Sequence, residues 1–215
     1  MKLISGGICA AEGFFAAGVH CGIRKNRTKK DLALIYSQVP CSAAAVYTTN
    51  LVKGAPLIVT KSHLSDGKAQ AVVCNSGNAN TCNANGIQIA EEMSVLTAKA
   101  LGISPDDVVV ASTGVIGQPL CIDPIAEHTP QLASLLNPKG SSDACEAIMT
   151  TDTKPKEIAV EFQLGGKTCH IGGIAKGSGM IHPNMATMLV FLTTDVAIDP
   201  QMLHKALLGD VQDTF

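Results

Sequence analysis

Thr187 stands where the sequence changes character. The stretch KGSGMIHPNMA, Lys176 to Ala186, is made of small, polar and turn-forming residues, and from Thr187 the chain enters the apolar run MLVFLTT. A threonine hydroxyl is a weak nucleophile because its proton is firmly held. Breaking the preceding peptide bond changes that. The new α-amine lies within reach of the same residue's oxygen and titrates at roughly 7.7–8.0, so it is a competent base near neutral pH. The bond to break is Ala186–Thr187. A small residue at 186 leaves its carbonyl open to the Thr187 hydroxyl, and a Gly/Pro approach suits a strained peptide. The strand that follows would hold Thr187 while the cut end moves away. The plain alternative is that a β-branched residue suits the first position of a strand.

An acyl-transfer site also needs donors for the oxyanion that forms on the attacked carbonyl. STGVIG, Ser112 to Gly117, follows a buried apolar run and offers the Thr113 hydroxyl and the Gly114 N–H to one oxygen. TTDT, Thr150 to Thr153, sets hydroxyls and a carboxylate at a helix end, and Lys176 in its glycine-rich surroundings could grip a substrate carboxylate. Each has a plain alternative: a strand-to-helix turn, a capping cluster, and a solvent-exposed lysine. KGSG is not a phosphate-binding loop, since the G-x-x-x-x-G-K-[ST] spacing is absent.

Short runs must position these groups. DLALIYSQ (31–38), SAAAVYTT (42–49), APLIVTK (55–61) and AQAVVCNS (69–76) predict strands of a mixed sheet, separated by turn residues. NSGNANTCNANG is a turn-rich loop. Ile87 to Gly102 predicts a helix with Ile89, Met93, Leu96 and Ala100 on its apolar face, and Asp106 to Thr113 a strand buried on both faces. Helices follow over 124–136 and from Ser141, then a hairpin turning at GGK, the strand after Thr187, and a last helix with Asp199 as N-cap and Pro200 at its first position.

The chain has 215 residues, no Trp and a formal net charge of −2, which gives no reason to expect nucleic acid or an anionic membrane as partner. No apolar run reaches the roughly 18 residues of a membrane span. The N-terminal MKLISGGICAAEGFFAAGVHC resembles a secretory leader only superficially, because Glu12 interrupts it and glycines precede it. Eight scattered cysteines, mostly in apolar surroundings and with no Cys-x-x-Cys, point to free buried thiols in a reducing cytoplasm, not to disulfides or a zinc site.

GFFAAGVHCGIR, KKDLALIYS, VVCNSGNANTC, VASTGVIG, AIMTTDT and AKGSGMIHPNMATMLVFLTTD occur in this order. Together they closely resemble the ornithine acetyltransferase (glutamate N-acetyltransferase) family, the ArgJ family, from near the N-terminus to Asp195. The resemblance implies an α/β fold, a four-layer α/β/β/α sandwich of the kind shared with self-cleaving aminopeptidases, here incomplete. It implies a precursor that cuts itself between Ala186 and Thr187, giving residues 1–186 as an α-chain segment and 187–215 as the start of a β chain. Thr187 then accepts an acetyl group from N-acetylornithine and passes it to glutamate, recycling acetyl groups in arginine biosynthesis. Thr113 and Gly114 take the oxyanion role, and Thr150 and Lys176 contact substrate. No cofactor is implied, although some members use acetyl-CoA as acetyl donor. The partners implied are small molecules, with no nucleic acid and no membrane, in a cytoplasmic α/β heterotetramer.

Family members extend well beyond residue 215. The chain is therefore expected to be one piece of a longer protein, inactive or nearly so alone. Two further readings stay open: an N-terminal-nucleophile aminopeptidase or amidohydrolase on a similar scaffold, in which water and not an amine resolves the acyl-enzyme, and a non-catalytic binding role. A pyruvoyl-type decarboxylase fits less well, because its self-cleavage usually starts from Ser.

Overall fold

A computed structural model describes residues 1–177 and 188–214. In chain order these form β1 (Lys2–Ile4), β2 (Phe14–Val19), β3 (Leu32–Ser42), α1 (Ala55–His63), β4 (Lys68–Asn78), α2 (Gly86–Leu101), β5 (Val108–Val115), α3 (Asp123–Ser134), α4 (Ser141–Ile148), β6 (Lys156–Leu164), β7 (Lys167–Lys176), β8 (Leu189–Thr194) and α5 (Pro200–Thr214). The strands make two sheets, β2-β3-β4-β5 and β1-β6-β7-β8. Every pairing is antiparallel except β4 with β5, which run parallel and share a common end.

Alternation along the first sheet sorts its residues onto two faces. Val19, Leu32, Leu34, Val73, Val108 and Val110 meet Val59 of α1, Ile89 and Met93 of α2, and Ile125 and Leu132 of α3 in one buried core. Ala16, Ala33, Ile35, Cys74 and Ala111 point the other way and join Ala144, Cys145 and Ile148 of α4, Ile174 of β7 and the partly buried Leu189 and Phe191 of β8 in a second. The layers are thus helices, sheet, and a second sheet with α4 between the two. The small residues on the inner face let α4 approach: a Cβ on Gly18 would lie 2.2 Å from the Asp143 carbonyl oxygen. The outer face of the second sheet leaves Ile158 59% and Leu192 56% exposed.

β8, from the second expected segment, pairs with β7 of the first, so both belong to one sheet. Residues 55–61 are helical, not extended. Gly54 is the extended N-cap, Pro56 sits in the first turn, and Ala55, Pro56, Val59, Thr60 and His63 bury one helical face. Of residues 42–49 only Ser42 belongs to a strand. On α2 the buried face is Ile89, Ala90, Met93, Ser94, Thr97 and Ala98; Leu96 and Ala100 lie at its margin. α4 does start at Ser141, with Gly140 as its N-cap, and Ser141 Oγ accepts from the Ile8 N–H and donates to Glu157. Asp199 does cap α5, its Oδ1 accepting from the Gln201 N–H at 2.9 Å. All eight cysteines are free, with Cys21, Cys74, Cys145 and Cys169 buried and Cys82 and Cys121 exposed, so burial is less general than the sequence suggests. Among the described residues no helix is long and apolar enough to cross a membrane.

Candidate active site

The common end of β4 and β5 carries the expected oxyanion donors. Ser76 pairs with Thr113 and Gly77 with Gly114, and the register then slips at Asn78. On the helix side, the Ser112 hydroxyl donates to Asn75 Oδ1 at 2.6 Å, and Asn75 Nδ2 donates to the Asn78 carbonyl at 2.9 Å. These bonds fix the end of both strands from behind. Thr113, the next residue, faces the other sheet and is buried. Gly114 has φ +133°, and a Cβ there would lie 2.3 Å from the Gly77 carbonyl carbon. Both the angle and the space admit only glycine.

Asp31 organises the loop above this end. Its side chain is fully buried, with Oδ1 accepting from the Cys21 N–H at 2.6 Å and Oδ2 from the N–H groups of Gly22 and Arg24 at 3.2 and 2.8 Å. Three charge-assisted bonds offset the burial of the carboxylate. The turn they hold delivers Arg24 onto the second site segment. Its guanidinium donates to the carbonyls of Met149 at 2.8 Å and Thr150 at 3.4 Å, and its Cγ would be 2.9 Å from a Cβ on Gly77. A single arginine therefore joins the end of β4 to the residues just past α4.

Thr150 and Lys176 meet through a residue that the sequence showed only as part of TTDT. Asp152, its side chain 3% exposed, accepts from the Thr150 N–H at 3.3 Å, the Gly177 N–H at 2.9 Å and the Lys156 ammonium at 2.7 Å. Burial alone would raise its pKa. The bonds from Lys156, Gly177 and Thr150, with the Lys176 charge, outweigh that and hold it below the ordinary Asp value. Lys176 is not solvent-exposed but 3% exposed at the end of β7, its Nζ donating to the Gly177 carbonyl at 2.6 Å and lying 3.8 Å from Asp152 Oδ2. Burial lowers its pKa, and the Asp152 charge works against that. Beneath it Cys74, whose thiol burial pushes up to about 12, stays protonated.

The structure thus sets Thr113 beside Gly114 and ties Thr150 to Lys176. Ala186 and Thr187 lie outside the described residues. Leu189, which begins β8, is paired with Lys176. Arg24 and Asp31 carried no signal in the sequence beyond a charge inside GFFAAGVHCGIR and KKDLALIYS, and Asp152 showed only as the carboxylate of TTDT, without its partners.

The two packed sheets, the helices on one outer face and the polar cluster at the strand ends define an α/β protein of the layered-sandwich kind. The chain belongs to the ArgJ family, whose pattern it matches over residues 15–215. It is 54% identical over 209 residues to the arginine biosynthesis bifunctional protein ArgJ of Symbiobacterium thermophilum, covering 96% of this chain and 52% of that protein. The chain spans about half the length of the curated relatives it matches. Among solved structures, ArgJ of Bacillus halodurans superimposes with a TM-score of 0.78 at 40% identity, over 87% of this chain and 98% of that one. Ornithine acetyltransferase of Mycobacterium tuberculosis, crystallised with ornithine, does so with a TM-score of 0.77 at 34% identity, over 87% and 99%.

Proposed function

We propose that the full-length protein is a self-processing acetyltransferase of arginine biosynthesis, moving an acetyl group from N-acetylornithine to glutamate through acetyl-Thr187. The observation that carries this is the Arg24 tie between the Gly77–Gly114 strand end and Thr150, which Asp152 in turn links to Lys176. In the sequence Thr187 stands two residues before Leu189, the strand partner of Lys176.

In processing, the Thr187 oxygen attacks the Ala186 carbonyl, the acyl group shifts from nitrogen to oxygen, and water hydrolyses the ester, leaving Ala186 as a carboxylate and Thr187 with a free amine. In transfer, that amine takes the Thr187 hydroxyl proton as the oxygen attacks the acetyl carbonyl of N-acetylornithine. The Thr113 hydroxyl and the Gly114 N–H donate to the oxyanion. The proton goes to the departing ornithine amine. The glutamate amine then attacks the acetyl ester and restores the hydroxyl. Lys176 and Thr150 contact the substrate, Lys176 through its carboxylate. Acetyl-CoA would supply the same ester with a thiol as leaving group, yielding N-acetylglutamate. The working form is a cytoplasmic α/β heterotetramer.

Two similarities support the reading. The Mycobacterium tuberculosis relative was crystallised with ornithine. Chains of the two solved relatives are filled almost completely by 87% of this one, while whole curated relatives are nearly twice its length, as a break near residue 187 would produce. The test is steady-state kinetics of the full-length protein with N-acetylornithine and glutamate. Parallel lines in double-reciprocal plots, with ornithine and N-acetylglutamate formed in equal amounts, are expected. Release of free acetate without dependence on glutamate would instead mark an amidohydrolase.

A further inference from the structure

Among the described residues, Ser76 Oγ is the one buried side-chain nitrogen or oxygen with no hydrogen-bond partner. Burying a hydroxyl unpaired costs free energy that alanine, smaller by a single oxygen, would avoid. Its direction follows from strand alternation. Cys74 belongs to the core between the sheets, so Ser76, two residues on, faces the same way, while Asn75 between them is bonded to Ser112 behind the sheet.

Its neighbours on that face are the site residues. Ala111 and Ile174 share the core with Cys74. Thr113 follows Ala111 on β5 as Lys176 follows Ile174 on β7 and Ser76 follows Cys74 on β4. Three polar residues therefore occupy the next inward position on three strands. Ser76 is the register partner of Thr113. All three are withdrawn from solvent, at 0%, 7% and 3% exposure. The tie from Gly77 through Arg24 to Thr150 closes the same corner from the α4 side.

We propose that Ser76 is a further acyl-binding residue, its hydroxyl donating to the oxygen of the transferred acyl group beside the Thr113 donor. The inference rests on the acetyl-transfer reading above, and adds to it a side chain from β4. A third donor aimed at the oxygen where charge develops would act mainly on the chemical step, not on ground-state binding.

The test uses the full-length protein with Ser76→Ala, Ser76→Thr and, as control, Thr187→Ala. Ser76→Ala is expected to lower kcat about 10-fold or more with KM little changed, while its Tm stays equal to the wild type or rises, because an unpaired hydroxyl is gone. Ser76→Thr keeps the hydroxyl and is expected to recover part of kcat. Wild-type kcat in Ser76→Ala would overturn the inference, whether Tm is raised, marking an idle hydroxyl, or lowered, marking a structural one. The control separates the two levels. If Thr187→Ala still transfers acetyl groups, the reading of the site falls. If Thr187→Ala is inactive and Ser76→Ala matches the wild type, only the role of Ser76 falls.

Discussion

The two faces of the β2-β3-β4-β5 sheet are made by the same strands and do opposite work. Toward α1, α2 and α3 the strands present mainly Val and Leu, packed into an apolar core. Toward the second sheet they present mostly Ala, Gly and Cys, small enough for α4 to press against the backbone, with Ile35 as an exception, and the end of β4 and β5 carries Ser76, Thr113 and Gly114. One face supplies stability through apolar burial. The other sacrifices side-chain volume for close backbone approach and for polar groups held out of water. The alternation of a strand lets one stretch, such as VVVASTG, serve both, with Val108 and Val110 behind and Thr113 in front.

That division is tested first by Thr187→Ala in the full-length protein. Loss of both chain cleavage and acetyl transfer is expected, read by denaturing gel and by product assay, while Thr187→Ser keeps some of each. Next is Gly114→Ala, which forces a side chain into a positive-φ position 2.3 Å from the Gly77 backbone. If Gly114 donates to the oxyanion as proposed, displacing it lowers kcat roughly 100- to 1,000-fold, with a lower Tm from the clash.

Asp152→Asn comes third, with an expected loss in kcat/KM of about 10-fold, since it weakens the link between Thr150 and Lys176 without removing volume. It also carries a pH signature. Because folding lowers the Asp152 pKa, its contribution to stability is fully present above the unfolded value near 3.8 and is lost as pH falls through the folded value. The Tm gap between wild type and Asp152→Asn should be constant from pH 7 to about 5 and close below about 4. Met93→Ala, on the helix side, has the smallest expected effect on chemistry. It empties a fully buried position and should cost about 2–5 kcal/mol of stability in denaturant titrations, with kcat of the folded enzyme unchanged. A large drop in kcat there would erase the contrast between the faces.

Much of this arrangement was legible in the sequence, and the exceptions have physical causes. β3, β4, β5, α2, the β6–β7 hairpin and the Asp199 cap follow from periodicity and turn chemistry that local residues impose. APLIVTK misled because Ile58 and Val59 favour strands by side-chain shape, whereas the decisive facts are Pro56 in a helical first turn and burial at Ala55, Val59 and His63, a spacing of four. β2 was hidden because FFAAGV has little alternation when both faces are buried by tertiary packing. Thr113, Gly114, Thr150 and Lys176 could be singled out as candidates because their motifs are local. The partners of Arg24 and Asp152 could not be read there, since Met149 and Gly177 lie 125 and 25 residues away, and the Asp31 contacts depend on a loop fold that its local residues do not announce. Ser76 is subtler still, because its interest lies in a hydrogen bond that the described residues do not make.

The most direct test of the central claim is intact-mass and N-terminal analysis of the purified full-length protein, before and after brief exposure to N-acetylornithine. Two chains are predicted, the second beginning at Thr187, and only that chain should gain an acetyl group, which glutamate then removes. A single uncut chain that still transfers acetyl groups at the full rate would contradict the account.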